Sequence, residues 1–156
     1  MSSFSLTNKV VILMRKDVVI VLVALIVVAV GAYIVSQPAA VDVNKVRAYA
    51  DPITEDILIA MNEGNYTKFS KDMDVAMKNA MTEPVFQQTV ALIKSKVGNY
   101  VSKEFSKAEL QGNYTVVYYK AKYTGESEVT VKVVFIEAGG KQYVSGLWFD
   151  SPKLRS

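Results

Sequence analysis

The chain of 156 residues contains no cysteine and no histidine. Without cysteine, disulfides, thiolate metal ligands, thiol nucleophiles and acylated-cysteine anchors are excluded. Without histidine, Ser-His triads, imidazole metal sites and the usual proton carrier near neutral pH are excluded as well. We therefore predict no metal site, no cofactor and no catalytic residue, while acid–base chemistry carried by a carboxylate stays open as an alternative.

Clustered positive charge is also lacking. The formal net charge is +3. Residues 1–41 contain three Lys or Arg and one Asp, and residues 42–156 contain fifteen Lys or Arg and fourteen Asp or Glu. Nucleic-acid-binding surfaces need concentrated cations. The near neutrality of the C-terminal part therefore predicts that the protein has no nucleic-acid partner.

Charge is absent altogether from Val18 to Val35, a run of eighteen residues with the sequence VVIVLVALIVVAVGAYIV. As an α-helix this run would be about 27 Å long, close to the roughly 30 Å of a bilayer hydrocarbon core. The sequence therefore predicts one transmembrane helix at 18–35, with a tail at 1–17 before it and a linker at 36–41 after it.

The charges beside this run set its expected orientation. Arg15 and Lys16 directly precede it, which predicts a cytoplasmic N-terminus and a domain outside a cell membrane that is crossed once. A cleaved signal peptide is the alternative, and Ala29-Val30-Gly31 is its candidate cleavage motif. Signal peptides have shorter apolar regions of about 7 to 15 residues. Either interpretation places the domain outside the membrane.

Helical spacing of apolar residues dominates the next part of the chain. It predicts a first helix from Asp42 that ends within residues 62–65, and a second over Tyr66–Ala80. Inside the first helix, Asp51-Pro52 predicts a kink or a fresh helix start, because Asp is a good N-cap and Pro suits the first helical position.

A third helix is predicted between Thr82 as its N-cap and Gly98, which we expect to end it in a left-handed conformation. After Gly98 the apolar period changes from 3.6 to 2, which indicates strands. Four strands are predicted: Tyr100 to Leu110, Tyr114 to Tyr123, Val129 to Glu137, and Gln142 to Phe149. The connections are short and mostly rich in glycine, so the strands should form an antiparallel meander.

Each predicted strand has one apolar and one polar face, so helices should cover a single side of the sheet. We expect Phe135 and Leu147 in the core between them. The predicted architecture is α+β: a transmembrane helix, then a domain at 42–152 with three helices on one face of a four-stranded antiparallel sheet, and a tail at 153–156.

Two stretches carry a resemblance to known proteins. Residues 62–69, NEGNYTKF, resemble the n-x-G-D-Y-x-x-F junction of the nuclear-transport-factor-two-like (ketosteroid-isomerase-like) superfamily. Residues 146–152, GLWFDSP, together with the order of helices before meander, resemble the domain of unknown function 3887 family of archaea and some bacteria. The resemblance covers about 42–152. It implies a curved, cone-like sheet around a frequent pocket, and it implies no activity.

Four residues are candidates for ligand binding: Tyr119, Tyr143, Trp148 and Asp150. The aromatic side chains could line a pocket in the cone, and Asp150 follows the aromatic end of the last strand. The alternative is structural. Strands favour aromatic residues in any case, and an aspartate at a strand end commonly serves as a turn or capping acid.

Asn65 and Asn113 each begin an Asn-Tyr-Thr triplet, which is an acceptor sequence for N-glycosylation and would suit an external domain. Asn65 could instead be occupied as the N-cap of the second helix.

Two functions remain in competition. The first is a non-catalytic, membrane-anchored, extracytoplasmic binding or assembly module for an unknown protein or small-molecule partner. The alternative is a small-molecule-binding or acid–base enzyme that uses a pocket inside the cone. An enzyme would need a buried carboxylate facing an open apolar cavity, whereas the cone of a scaffold can be filled by side chains.

Overall fold

A computed structural model describes residues 41–156 of the chain. The predicted membrane helix at 18–35, the predicted tail at 1–17 and most of the predicted linker lie outside the described residues. Between residues 41 and 156, no helix combines the length and the apolar character needed to cross a membrane.

The first helix, α1, runs over Val43–Glu63. The Asp42 carboxylate caps it by accepting a hydrogen bond from the Lys45 N–H, and Gly64 ends it with φ 65°. The predicted restart at Asp51-Pro52 does not occur, because α1 continues through Pro52. A proline inside a helix costs about 3 kcal/mol. The packing of the buried face of α1 against the rest of the domain offsets this cost.

The second predicted helix is wrong as a single element, because the structure contains two short helices, α2 at Tyr66–Ser70 and α3 at Val75–Ala80. Between them, Met73 forms a parallel bridge with Val144 of the sheet. Asp74 then caps α3 by accepting the Met77 N–H at 2.7 Å. A backbone pairing with a distant strand therefore interrupts the helix that the local periodicity predicts.

The next helix, α4, spans Glu83–Val97 and begins after Thr82 as predicted, although the Thr82 side chain makes no capping hydrogen bond. Gly98 ends it with φ 85° and ψ −152°, which is not the left-handed helical conformation that we expected. The reason is a close approach of two chain segments, since a Cβ atom at Gly98 would lie 2.1 Å from Oγ1 of Thr124.

The predicted four-stranded antiparallel meander is confirmed, with strand order β1-β2-β3-β4. The strands are β1 Tyr100–Gln111, β2 Tyr114–Tyr123, β3 Val129–Ala138 and β4 Lys141–Asp150. Irregularities interrupt the register twice in β1 and once in β4, after Val144. Bulges of this kind increase twist and bend a sheet, which accounts for its curvature.

The domain was predicted to end at residue 152, but regular secondary structure continues beyond this residue. A helical turn, α5, covers Pro152–Arg155 and is capped by the Ser151 hydroxyl. It packs against α4, and the Lys96 ammonium donates to the backbone oxygen of Ser156. The last four residues therefore belong to the domain.

The predicted faces of β2 and β3 are confirmed. The inner face of the sheet, which faces the helices, includes Val117, Tyr119, Ala121, Tyr123, Val129, Val131, Val133 and Phe135, all of them buried. Lys120 and Lys122 lie on the outer face and are exposed. Phe135 is fully buried as expected, and Leu147 is partly buried at the border of the core.

Candidate functional site

An open groove of about 280 Å³ lies between the helical layer and the C-terminal half of β4, and we call it the apolar groove. The helical layer lines it with Met61, Phe69, Met81, Thr89, Leu92 and Ile93. The opposite side is lined by Leu147, Trp148, Phe149 and Leu154. None of these side chains is titratable. The Thr89 hydroxyl donates to the Val85 carbonyl at 2.8 Å, so the lining offers mainly apolar contact.

The apolar groove is accessible from solvent and has a buried floor. Leu92 is 57% exposed, which is unusual for such a large apolar residue. Phe69 and Ile93, which also line the groove, are buried. The groove can therefore admit an apolar group without a rearrangement of the core.

A cluster of charged and tyrosine side chains joins α1 to the inner face of the sheet. The Tyr119 hydroxyl donates to Oδ1 of Asp51 at 2.9 Å, and Nε of Arg47 donates to Oδ2 of the same carboxylate at 3.0 Å. Burial raises the pKa of Tyr119 well above its usual value; the neighbouring Thr54 hydroxyl lowers it, and Asp51 raises it further. Tyr119 is therefore held as a neutral hydrogen-bond donor.

One helical turn further on, Glu55 makes a similar connection. It accepts a hydrogen bond from the Tyr100 hydroxyl at 2.8 Å and lies 3.2 Å from the Lys103 ammonium. Only 9% of the Lys103 side chain is exposed, and its ammonium lies 4.9 Å from the centre of the Tyr119 ring. Burial raises the pKa of Tyr100, and Glu55 adds to the effect. Both carboxylates on this side of α1 are thus occupied by partners within the fold.

The structure does not bring the four predicted ligand-binding residues into one pocket. Tyr119 is buried in the core, as described above. Tyr143 lies opposite Ile136 on the outer face, with the Lys141 ammonium over its ring. Asp150 lies at the sheet end, where its carboxylate pairs with Arg155 at 2.5 Å.

Of these four residues, only Trp148 borders the apolar groove, and its side chain lies on the opposite face of β4 from those of Leu147 and Phe149. Its indole ring lies flat against the outer face, because a Cβ atom on Gly146 would be 2.4 Å from the ring atom Cζ3. The Lys132 ammonium lies 4.9 Å from the ring centre. Gly146 therefore creates the space that the indole occupies.

The two glycosylation candidates lie at different kinds of site. Oδ1 of Asn65 accepts the Lys68 N–H at 3.0 Å, so Asn65 caps α2, as the alternative interpretation proposed. Asn113 lies in the exposed turn between β1 and β2.

Sequence reasoning missed the helical half of the apolar groove, above all Leu92. The buried stripe of α4 consists of Phe86, Val90, Ile93 and Val97. Leu92 falls outside this stripe, on an exposed face that it shares with Val85 and Thr89. A leucine out of phase with its own helix was the signal that could have identified this site.

The family described as "Protein of unknown function (DUF3887)" matches residues 54–139, more than half of the chain. The chain belongs to this family. The predicted resemblance to this family is thereby confirmed, although residues 146–152, which suggested it, lie outside the matched range. No curated protein matches the chain.

Two solved structures are similar to this DUF3887 protein at low identity. One, named Rd1NTF2_05 with five substitutions, is 16% identical with a TM-score of 0.46, covering 65% of this chain and 96% of its own. The other is an NTF2-like protein of unknown function from Cytophaga hutchinsonii ATCC 33406. It is 14% identical with a TM-score of 0.37, and the match covers 67% of this chain and 92% of that one.

Proposed function

We propose that this protein is a non-catalytic binding module that holds an apolar group of its ligand in the apolar groove. We also propose that residues 18–35 tether it to the cell membrane, with the N-terminus in the cytoplasm and the domain outside. The observation that carries the binding function is the groove itself, an accessible cleft of about 280 Å³ lined without a single titratable side chain.

The chemistry of the lining favours binding. Removing apolar surface from water contributes about 25 cal/mol per Å². Acid–base catalysis needs a titratable group within hydrogen-bond reach of the reacting atom. Residues of the groove can supply the first kind of interaction and not the second.

The enzyme alternative would rely on the carboxylates of α1, and their partners weigh against it. Asp51 accepts from Tyr119 and Arg47, and Glu55 accepts from Tyr100 and pairs with Lys103. A general base must be free to take a proton from a substrate. These two carboxylates instead connect α1 to the sheet.

The membrane tether is supported by the sequence. The run from Val18 to Val35 has the length and apolar character of a transmembrane helix, and Arg15 and Lys16 flank its N-terminal side.

Binding in the groove can be tested on a fragment of residues 41–156 with the apolar fluorophore 1-anilinonaphthalene-8-sulfonate. We expect saturable fluorescence enhancement that Leu92→Asp abolishes, because a carboxylate there would have to lose water when the groove is filled. The matched control is Val75→Asp, since Val75 is 76% exposed, outside the groove and in the first turn of α3. Enhancement that is equal in both variants would contradict the proposal.

A further inference from the structure

β4 is an edge strand, and part of its edge is already paired with an extended segment of the same chain. The Val144 N–H donates to the Asp72 carbonyl at 2.8 Å, and the Asp74 N–H donates to the Val144 carbonyl at 3.0 Å. The pairing is an isolated parallel bridge at Val144, directly before the irregularity of β4. At this one residue the edge already makes backbone hydrogen bonds with another segment of the fold.

Beyond that point the same edge is open. Leu147 pairs with Val133 of β3, and Phe149 pairs with Val131. Val144, whose backbone groups point away from β3, pairs with Phe135. These three β3 residues are two positions apart, so Leu147 and Phe149 have the same backbone orientation as Val144. In an antiparallel ladder, residues of this set direct their N–H and C=O groups away from β3. Within residues 41–156, these four backbone groups of Leu147 and Phe149 have no hydrogen-bond partner at the edge.

The open edge and the apolar groove are contiguous. Leu147 and Phe149 direct their side chains into the groove and their backbone groups along its border, while Leu92 and Ile93 of α4 form the opposite wall. A chain lying in the groove would therefore run between a strand edge and a helix. A volume of 280 Å³ is slightly below the range of about 300 to 1,000 Å³ for small-molecule pockets, and it suits a few side chains.

Hydrogen bonding distinguishes between possible occupants. A purely apolar ligand, such as an acyl chain, would cover the edge and desolvate its backbone groups without pairing them. Burying a backbone N–H or C=O group without a hydrogen-bond partner is unfavourable. An extended peptide supplies complementary N–H and C=O groups at the strand spacing and so avoids this cost.

We infer that the ligand of the apolar groove is an extended peptide segment of a partner protein, which adds to the edge of β4 at Leu147 and Phe149 and places alternate apolar side chains in the groove. This inference rests on the proposed binding function and specifies the class of its ligand.

The test uses the full-length chain in lipid nanodiscs and a library of short random peptides displayed on phage, with the Leu92→Asp variant for counter-selection. We expect enriched peptides to have apolar residues at alternate positions. N-methylation of the backbone at one alternating set of positions should weaken binding about tenfold or more, because it removes hydrogen bonds to the edge. N-methylation of the other set, whose N–H groups point away from β4, is the matched control and should have little effect.

The outcomes separate this inference from the proposed function. If both N-methylated sets bind as well as the parent peptide, or if no peptide is enriched over Leu92→Asp, strand addition is wrong. Saturable, Leu92-dependent binding of the fluorophore would then still support a binding function. Loss of the fluorophore signal as well would overturn both. Slow exchange of the Leu147 and Phe149 amide protons in the chain without peptide would also overturn the inference, because it would mean that the edge is already paired.

Discussion

The adjacent residues Tyr118 and Tyr119 offer a matched test of whether the connection between α1 and the sheet stabilises the fold. Each tyrosine hydroxyl donates to a carboxylate: Tyr119 to Asp51 at 2.9 Å on the inner face, and Tyr118 to Glu109 at 3.0 Å on the outer face. Tyr119 is buried and Tyr118 is partly exposed. The two Tyr→Phe variants remove the same atom from different surroundings.

The expected magnitudes differ because Tyr119 is buried, whereas Tyr118 is partly exposed and water can take the place of its hydroxyl. A hydrogen bond to a charged group contributes about 1.5 to 3 kcal/mol. We expect Tyr119→Phe to lower the free energy of unfolding by about this amount, since the buried ring leaves little room for water to replace the hydroxyl. Tyr118→Phe should cost less than about 1 kcal/mol, because Glu109 keeps Lys107 and Gln111 as donors and water can reach it from the outer face.

Urea unfolding of both variants, followed by circular dichroism, measures this difference. A double-mutant cycle of Tyr119→Phe with Asp51→Ala should then give a favourable coupling energy. Costs that are equal for the two tyrosines, or a cost below about 0.5 kcal/mol for Tyr119→Phe, would refute the argument that burial makes this hydrogen bond valuable. Fluorophore binding should stay unchanged in Tyr119→Phe, because Tyr119 lies outside the apolar groove.

Four further predictions concern the core, the alkaline limit, the outer face and the membrane. Phe135→Ala should cost about 3 to 5 kcal/mol in urea unfolding, because Phe135 is fully buried; a cost below about 0.5 kcal/mol would contradict its place in the core. Burial raises the pKa of Tyr100, Tyr119 and Tyr123, so their contribution to stability should be complete below the usual tyrosine pKa of about 10 and be lost as the pH rises further. Phenolate absorbance and the melting temperature, both measured as functions of pH, test this. Full ionisation of all tyrosines in the folded domain near pH 10 would disprove it. Gly146→Ala should shift the emission of Trp148, the only tryptophan, because the new methyl group displaces the indole; an unchanged spectrum would place the ring elsewhere. External protease applied to spheroplasts should digest the domain and leave a fragment containing Met1 to Val35, whereas protection of the domain would reverse the proposed orientation.

Local patterns in the sequence were sufficient to predict most of the sheet. The strand runs agree with the structure to within one residue at each end, because alternation between a buried and an exposed face dominates a sheet covered on one side. Thr82 and Gly98 likewise bound α4, although Thr82 makes no side-chain cap and Gly98 lies against the distant residue Thr124.

Predictions failed where distant segments decide the structure. The bridge of Met73 to Val144 breaks a periodic helix, and the packing of α1 carries it through Pro52. The apolar groove combines Met61, Leu92 and Leu147, which no local pattern connects. Three of the predicted ligand residues were chosen for aromatic character, and alternation along the strands then distributed them between opposite faces.

The long separation between α1 and its partners affects how the protein can be synthesised. Tyr119 follows Asp51 by 68 residues, whereas the strands pair only with their neighbours in the chain. At roughly 5 to 20 residues per second, translation needs about 3 to 14 s after Asp51 to reach Tyr119, the sheet residue that contacts it. During this interval the apolar face of α1, with Ile57 and Leu58, has no sheet to cover it. Docking of α1 against the inner face of the sheet therefore cannot begin until β2 has been synthesised.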